Sequence, residues 1–234
     1  MNKSMQGPLA KSDNSPPEPL IYIPPTDNGL SIIYNDDDLI VLSKPSGLLS
    51  VPGKSTDHHD SMEMRAKLRF PKARLIHRLD RGTSGVFVMA LNPKSQRHLG
   101  LQFEKRKTQK YYTAMVSGSV KENAGVIEMP LRTDWYCRPK QMVDFCLGRD
   151  AVTHWKVMER NNRQTRVSLN PVTGRSHQLR VHMQAIGHPI LGDTFYARSA
   201  DIKAAKRLML HAEILELAHP STGNRLRLHD PCPF

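Results

Sequence analysis

From Ser31 onward the chain is a succession of short apolar runs divided by turn residues, and this pattern constrains the fold more than any other feature. Ile32-Ile33-Tyr34 and Leu39-Ile40-Val41-Leu42 flank Asn35-Asp36-Asp37-Asp38, which predicts a hairpin. Further strands are predicted at 86–91, 111–116, 126–128, 151–157, 166–169, 208–217 and 226–228. Helix signals are fewer. Asp60 and Glu63 form a capping-box pattern before Met64 and Leu68, giving a helix over 61–69. Asn92-Pro93 opens a second helix with Leu99 and Phe103 on one face. Leu179, Met183 and Ile186 recur at i, i+4, i+7 after Ser176, a short amphipathic helix ended by Gly187. Strands mostly follow one another with no helix between, so the expected class is α+β, a largely antiparallel mixed sheet with flanking helices and loops.

No internal linker divides the 234 residues, a length suited to one well-cored domain. Residues 1–28 hold Pro16, Pro17, Pro19, Pro24 and Pro25 among serines and acids without periodicity, so they read as a flexible tail too short to be an added domain. Residues 29–234 form the single folded body. A composition of 38% hydrophobic and 24% charged residues fits a soluble globular protein. The apolar run 86–91 is far too short to span a bilayer, and Met1 to Ala10 lack the apolar core of a secretory signal, so the expected location is cytoplasmic. Cys137, Cys146 and Cys232 have no CxxC spacing and are expected as free thiols.

The net charge of +12 is concentrated in the body. Residues 1–28 contribute −1, Lys3 and Lys11 against Asp13, Glu18 and Asp27, so residues 29–234 carry +13. Such a body suits a polyanionic partner, because Lys and Arg that neutralise phosphates release condensed counterions. Between Arg65 and Arg81 the chain has seven Lys and Arg, and Asp80 is the only acid among them. A carboxylate there repels phosphate, which makes no sense for a surface built only to bind. Surrounding cations hold it ionised, as a nucleophile or base requires. Gly82-Thr83-Ser84-Gly85 then supplies a tight turn into the strand at 86–91, which would put Asp80 at a strand end. From the residues alone, a structural ion pair with Arg78 or Arg81, or a turn cap, is the competing reading.

His77-Arg78-Leu79-Asp80 with Thr83-Ser84-Gly85 resembles the HRLDxxTSG motif of the RluA-type pseudouridine synthases. Lys44-Pro45-Ser46-Gly47-Leu48-Leu49 resembles their KPxGL segment, and Lys110-Tyr111-Tyr112 their K-x-Y motif. The run from Gly174 to His182 is similar to their GRxHQLRxH segment, and Leu210-His211-Ala212 to their LHA element, all in family order. The resemblance implies the pseudouridine synthase catalytic fold and isomerisation of uridine: the N-glycosidic bond breaks, uracil rotates, and C5 joins C1′. Carried over residue by residue, Asp80, Tyr112 and Arg180 are the catalytic set, with Arg180 a bidentate partner for Asp80 and Tyr112 an aromatic face and hydroxyl at the base. His77, Arg78, Thr83, Ser84, Arg175, His177 and Leu210 are the expected RNA- and base-binding residues, Arg78 filling the gap left by an extruded base. Strand alternation lets only one of Tyr111 and Tyr112 face the pocket, and the motif selects Tyr112.

No histidine pair has HExxH spacing, and the H-x-E with P-C-x-x-C of zinc deaminases is missing, so neither a metal nor another cofactor is expected. Two stretches, 48–53 and 171–180, resemble the dual-specificity branch of the family, which implies 23S ribosomal RNA and the tRNA anticodon stem-loop as partners, without an N-terminal accessory RNA-binding domain. A sister branch modifies tRNA alone. A non-catalytic RNA-binding protein is the alternative from another class. A monomer without membrane or DNA partners is the default.

Overall fold

The computed structural model describes residues 22–234, and the predicted tail up to residue 21 lies outside them. The end of that segment is not a tail. Tyr22 is buried beside His58, its hydroxyl donates to the Asp60 carbonyl at 2.9 Å, and Arg65 donates to the Pro25 carbonyl and faces Asp27. Composition does not show that here one aromatic side chain and one backbone carbonyl find partners on the body.

Among the described residues, twelve strands, four α-helices and one 3-10 turn (Thr56–His58) follow. β1 (Ile32–Asn35) and β2 (Leu39–Lys44) form the predicted hairpin, antiparallel with one bulge. α1 (Met62–Arg69) leads through β3 (Arg74–Leu75) to β4 (Ser84–Ala90), and α2 (Pro93–Glu104) leads to β5 (Gln109–Ser117). Next come β6 (Ala124–Glu128), a small hairpin of β7 (Leu131–Thr133) and β8 (Gln141–Val143), then β9 (Val152–Arg160) and β10 (Gln164–Pro171). α3 (Gln178–Ala185), α4 (Ser199–Lys203), β11 (Leu210–Ala218) and β12 (Arg225–His229) complete the body. Ten strands make one mixed sheet in the order β1-β2-β4-β11-β5-β10-β9-β6, with β12 on β11 and β3 on β4. Only β4 and β11 pair in parallel; every other ladder is antiparallel. The expected class is the observed one.

The helix starts show which side chains cap. In α2, Asn92 accepts from the Ser95 amide and Pro93 occupies the first turn, as expected. In α1 the cap is Ser61, which accepts from Met64, and not Asp60. Asp60 is diverted because Arg65, one turn away, offers a bidentate partner at 2.6 and 2.8 Å, a stronger bond than a backbone amide supplies.

Both faces of the sheet centre are covered. On β2, Leu39 and Val41 pack with Leu99 of α2 on one face, while Ile40 and Leu42 pack with Met62 and Ala66 of α1 on the other. β4 is buried along its whole length for the same reason, which is why it reads as an unbroken apolar run. Where β4 meets β11, Gly85 opposes Ala212, and a Cβ at Gly85 would lie 2.2 Å from the Ala212 carbonyl oxygen. Ala212 pairs on its other side with Tyr112 of β5, so one row of residues links the start of β4 to the tyrosine.

Candidate active site

Asp80 does not sit at the end of a strand. It lies in an irregular segment, 76–83, before β4. The loop owes its shape to the chain at 44–50. Ser50 Oγ donates to the Leu79 carbonyl at 2.6 Å and accepts the Leu79 amide at 3.0 Å. The Gly47 amide donates to the Arg81 carbonyl, and Ser46 Oγ to that of Gly82. Lys44, fully buried, donates its ammonium to the carbonyls of Pro45, Arg81 and Thr83 at 2.8–3.2 Å. Burial lowers the Lys44 ammonium to about 7, against the attraction of Asp80 and with the help of Arg207. The early Lys-Pro segment thus supports the Asp80 loop from below, a role its sequence does not announce.

α3 brings the cation. Gln178 and His182 tie one side of the helix to the sheet: Gln178 Nε2 donates to Val152 O and Thr153 Oγ1, and the His182 ring bonds Thr153 Oγ1 and Met129 O. His177 and Arg180, i and i+3, then share the other side. His177 has φ +54, a left-handed conformation rare for a residue with a side chain. Its Nε2 lies 3.9 Å from Asp80 Oδ2, and its Nδ1 is 2.7 Å from the Tyr196 hydroxyl. Burial lowers its pKa, opposed by the Asp80 charge.

Arg180 reaches Asp80 through one nitrogen only, Nη1 to Oδ2 at 3.4 Å. Its bidentate partner is Asp193, with Nε and Nη2 each 2.7 Å from a carboxylate oxygen. This corrects the expected geometry. A guanidinium has one fork for each edge, and the buried Asp193 takes the better one while Nη1 remains for Asp80. Burial opposes the Arg180 charge, but the Asp193 bonds and the Asp193 and Asp80 charges outweigh it and its pKa is raised. The guanidinium carbon also lies 5.1 Å from the ring centroids of both Phe195 and Tyr196. Sequence reasoning missed Asp193, Phe195 and Tyr196. They stand beyond the helix in an irregular stretch, and the only available signal was that a buried arginine needs more than one acceptor.

Two cavities meet at Asp80. One, of about 670 Å³, has Leu49, Leu79, Leu179, Leu210 and Tyr112 as apolar lining and Arg78, Lys110 and Arg175 as cations. The other, of about 790 Å³, lies toward Phe195, Leu208, Lys206 and Arg207, and Asp80, Arg81, His177 and Arg180 border both. Tyr112 faces the first, while Tyr111, on the opposite face, does not line it. Burial, and secondarily the Asp80 charge, raise the Tyr112 phenol well above its ordinary pKa. His77, Arg78, Thr83, Arg175, His177 and Leu210 all line the cavity. Arg78 is exposed at its edge. His77 has a further task, for its Nε2 accepts the Val88 amide at 3.0 Å while its ring stacks on Phe103. Ser84 lines neither cavity. Its hydroxyl is 2.8 Å from His211 Nδ1 and takes a bond from Arg207, so it is occupied within the sheet's own packing.

An aromatic wall and an arginine-held carboxylate, sunk in a body of net charge +13, fit an enzyme that acts on a base of a polyanion. A profile of the RNA pseudouridylate synthase family matches residues 38–185. Similar proteins include those named dual-specificity RNA pseudouridine synthase RluA from Escherichia coli strain K12, 48% identical over 91% of this chain and 98% of its own length, and from Haemophilus influenzae, 47% identical over the same shares. Among solved structures, human RNA pseudouridylate synthase domain containing 1 superposes with a TM-score of 0.76 at 30% identity, over 91% of this chain and 87% of that one. The chain belongs to the RNA pseudouridylate synthase family, in its RluA-type branch, and isomerises uridine in RNA.

Proposed function

We propose that Asp80 is the catalytic carboxylate, that Arg180 orients it, and that Tyr112 presents its ring to the uracil and its hydroxyl for the last proton removal. The observation that carries this is the 3.4 Å contact of Arg180 Nη1 with Asp80 at the junction of the two cavities. The carboxylate is a shared border of both cavities, so a nucleoside entering one meets it before reaching the other. The N1–C1′ bond breaks, the C5–C1′ bond forms, and the proton of C5 is exchanged for one on N1. Atoms balance within one nucleotide, and no cofactor is needed.

The uridine is extruded from its stack to reach Asp80, and the exposed Arg78 takes its place in the RNA. Thr83, Arg175, His177 and Leu210 shape the pocket, and His77 holds the segment to β4. The RNAs are 23S ribosomal RNA and the anticodon stem-loop of tRNA; that there are two is supported by the dual-specificity names of the bacterial relatives. The protein works as a cytoplasmic monomer; no helix among the described residues is long and apolar enough to cross a membrane.

Asp80→Asn tests the assignment. It removes the charge without changing the side chain's shape, so turnover disappears while RNA affinity stays within roughly tenfold. Pseudouridine formation that persists in the variant refutes the catalytic role. Mapping pseudouridine in ribosomal RNA and tRNA with and without the gene identifies the substrates, and sites confined to tRNA refute dual specificity.

A further inference from the structure

The β7–β8 hairpin carries an unusual surface for a protein of this size. Of the ten exposed large hydrophobic side chains among the described residues, four fall between 135 and 147: Trp135 (63% exposed), Tyr136 (100%), Phe145 (73%) and Leu147 (74%). Single exposed apolar side chains need no explanation, but Trp135 and Tyr136 are adjacent at the hairpin tip, and neighbouring exposed rings mark an interaction site. Their exposure is built into the chain. Asp134 accepts the amides of Tyr136 and Cys137, and Asp144 accepts those of Cys146 and Leu147 while pairing with Arg132. A Cβ at Gly148 would lie 2.2 Å from the Asp144 carbonyl oxygen, so the second turn closes only with glycine.

Three observations say what this surface meets. First, it adjoins the site: Pro139, between Tyr136 and β8, borders both cavities, and the Gln141 amide donates to the Tyr196 hydroxyl that also bonds His177. Second, the rings come with cations. The Arg138 guanidinium carbon lies 3.6 Å from the Trp135 ring centroid, and Lys140 and Arg149 are close in sequence. Third, the two acids of the segment, Asp134 and Asp144, are occupied with their own turns. An apolar protein partner would gain nothing from three cations, whereas a nucleotide uses both a π-face and a positive charge.

We propose that Trp135 and Tyr136 stack on unpaired bases beside the target uridine, with Arg138 at the intervening phosphate, so that the hairpin selects single-stranded loops over duplex RNA. The inference rests on the RNA-isomerising function and adds the side chains that read the unpaired loop. Paired bases already stack on their neighbours and cannot offer a face without breaking the helix, so the rings discriminate against a duplex.

The chain has two tryptophans, and because Trp155 is buried, contact quenching by an RNA base reports on Trp135. The full chain is titrated with a stem-loop carrying uridines in an unpaired loop, and with a fully paired duplex of equal length. The stem-loop quenches the fluorescence and the duplex does not. Trp135→Ala with Tyr136→Ala weakens stem-loop binding by roughly five- to a hundredfold per lost stack and leaves duplex binding within about twofold. Trp135→Phe, which keeps a ring, retains stem-loop affinity. The loss falls on affinity and on kcat/KM, while the rate at saturating RNA follows Asp80 and persists. Unchanged stem-loop binding by the double alanine variant, or equal loss on both RNAs, overturns the proposal. So does a wild-type dimer that Tyr136→Ala converts to monomer in sedimentation, since the rings would then cover a second copy. Wild-type chain that forms no pseudouridine in the stem-loop overturns the inference together with the function beneath it, a result that pseudouridine analysis of the same samples distinguishes.

Discussion

Asp193→Asn tests how the arginine is aimed. Asp193 is 1% exposed, accepts two bonds of 2.7 Å from Arg180, and takes the amides of Phe195 at 3.0 Å and Tyr196 at 3.3 Å through Oδ1. Asparagine of the same shape keeps one oxygen, which can still accept those amides. It replaces Oδ2 with an NH₂ that faces the Arg180 Nε–H, donor against donor. The buried guanidinium is left with the single 3.4 Å contact to Asp80 as its carboxylate bond. Breaking a buried ion pair from one side costs about 3–5 kcal/mol, because the remaining charge stays desolvated. For a chain of this length each kcal/mol lowers Tm by about 2–4 °C, so the variant should melt about 6–20 °C below the wild type. Freed from its fork, Arg180 also loses its angle on Asp80, and a displacement of about 1 Å lowers the rate by as much as a hundredfold. Circular dichroism melting, with single-turnover pseudouridine formation at a temperature below both transitions, separates the two effects. A variant that melts within about 2 °C of wild type and reacts at full rate refutes the argument, since that shift corresponds to less than about one kcal/mol.

Arg180→Lys keeps the charge and loses the two forks, so it cannot serve Asp193 and Asp80 together; single-turnover rates should fall at least tenfold, and near-normal rates would contradict the shared geometry. Tyr112→Phe preserves the aromatic face and removes the hydroxyl, so RNA binding should hold while turnover drops, and an unchanged rate would leave the ring as the residue's whole contribution. His77 sets an acid limit on stability. Burial, then the Lys110 charge, lower its pKa from 6.5 to about 3, and its Nε2 accepts the Val88 amide only when unprotonated. The folded value lies below the unfolded one, so the contribution is complete above about pH 6.5 and is lost as pH falls toward 3. Melting temperatures of wild type and His77→Gln between pH 7 and 5 check this, and parallel profiles would count against it.

The strands were legible because each buries at least one face, and period-two or unbroken apolar runs survive in the sequence, as at β2, β4 and β10. The short pairs β3 and β7–β8 were not, having two or three residues each and no apolar period to display. The parallel junction of β4 with β11 was also hidden. It joins residues 84–85 to 211–212, and no local pattern records a partner so distant. At the site, Asp80, Tyr112 and Arg180 could be named because they stand in strings with a charge or residue-type argument behind them. Asp193 could not, since an acid in an irregular stretch looks like any turn residue until Arg180 is placed against it.

Why the carboxylate stands on a loop follows from what a strand would impose. A residue in β4 must point into one of two faces, and both are filled by core side chains. Only an irregular segment ahead of the strand can turn a carboxylate toward α3. Irregular backbone has no ladder of its own to hold it, and its buried carbonyls need donors from elsewhere. Residues 44–50 supply them: Ser50 serves Leu79, Ser46 serves Gly82, and Lys44 and the Gly47 amide serve the neighbouring carbonyls. These two segments, joined by bonds that span 29 to 39 residues of chain, therefore act as one rigid unit. The lysine at its base is explained by the carbonyls it gathers, without any part in contacting RNA, and its complete burial removes it from the basic surface with which composition alone had grouped it.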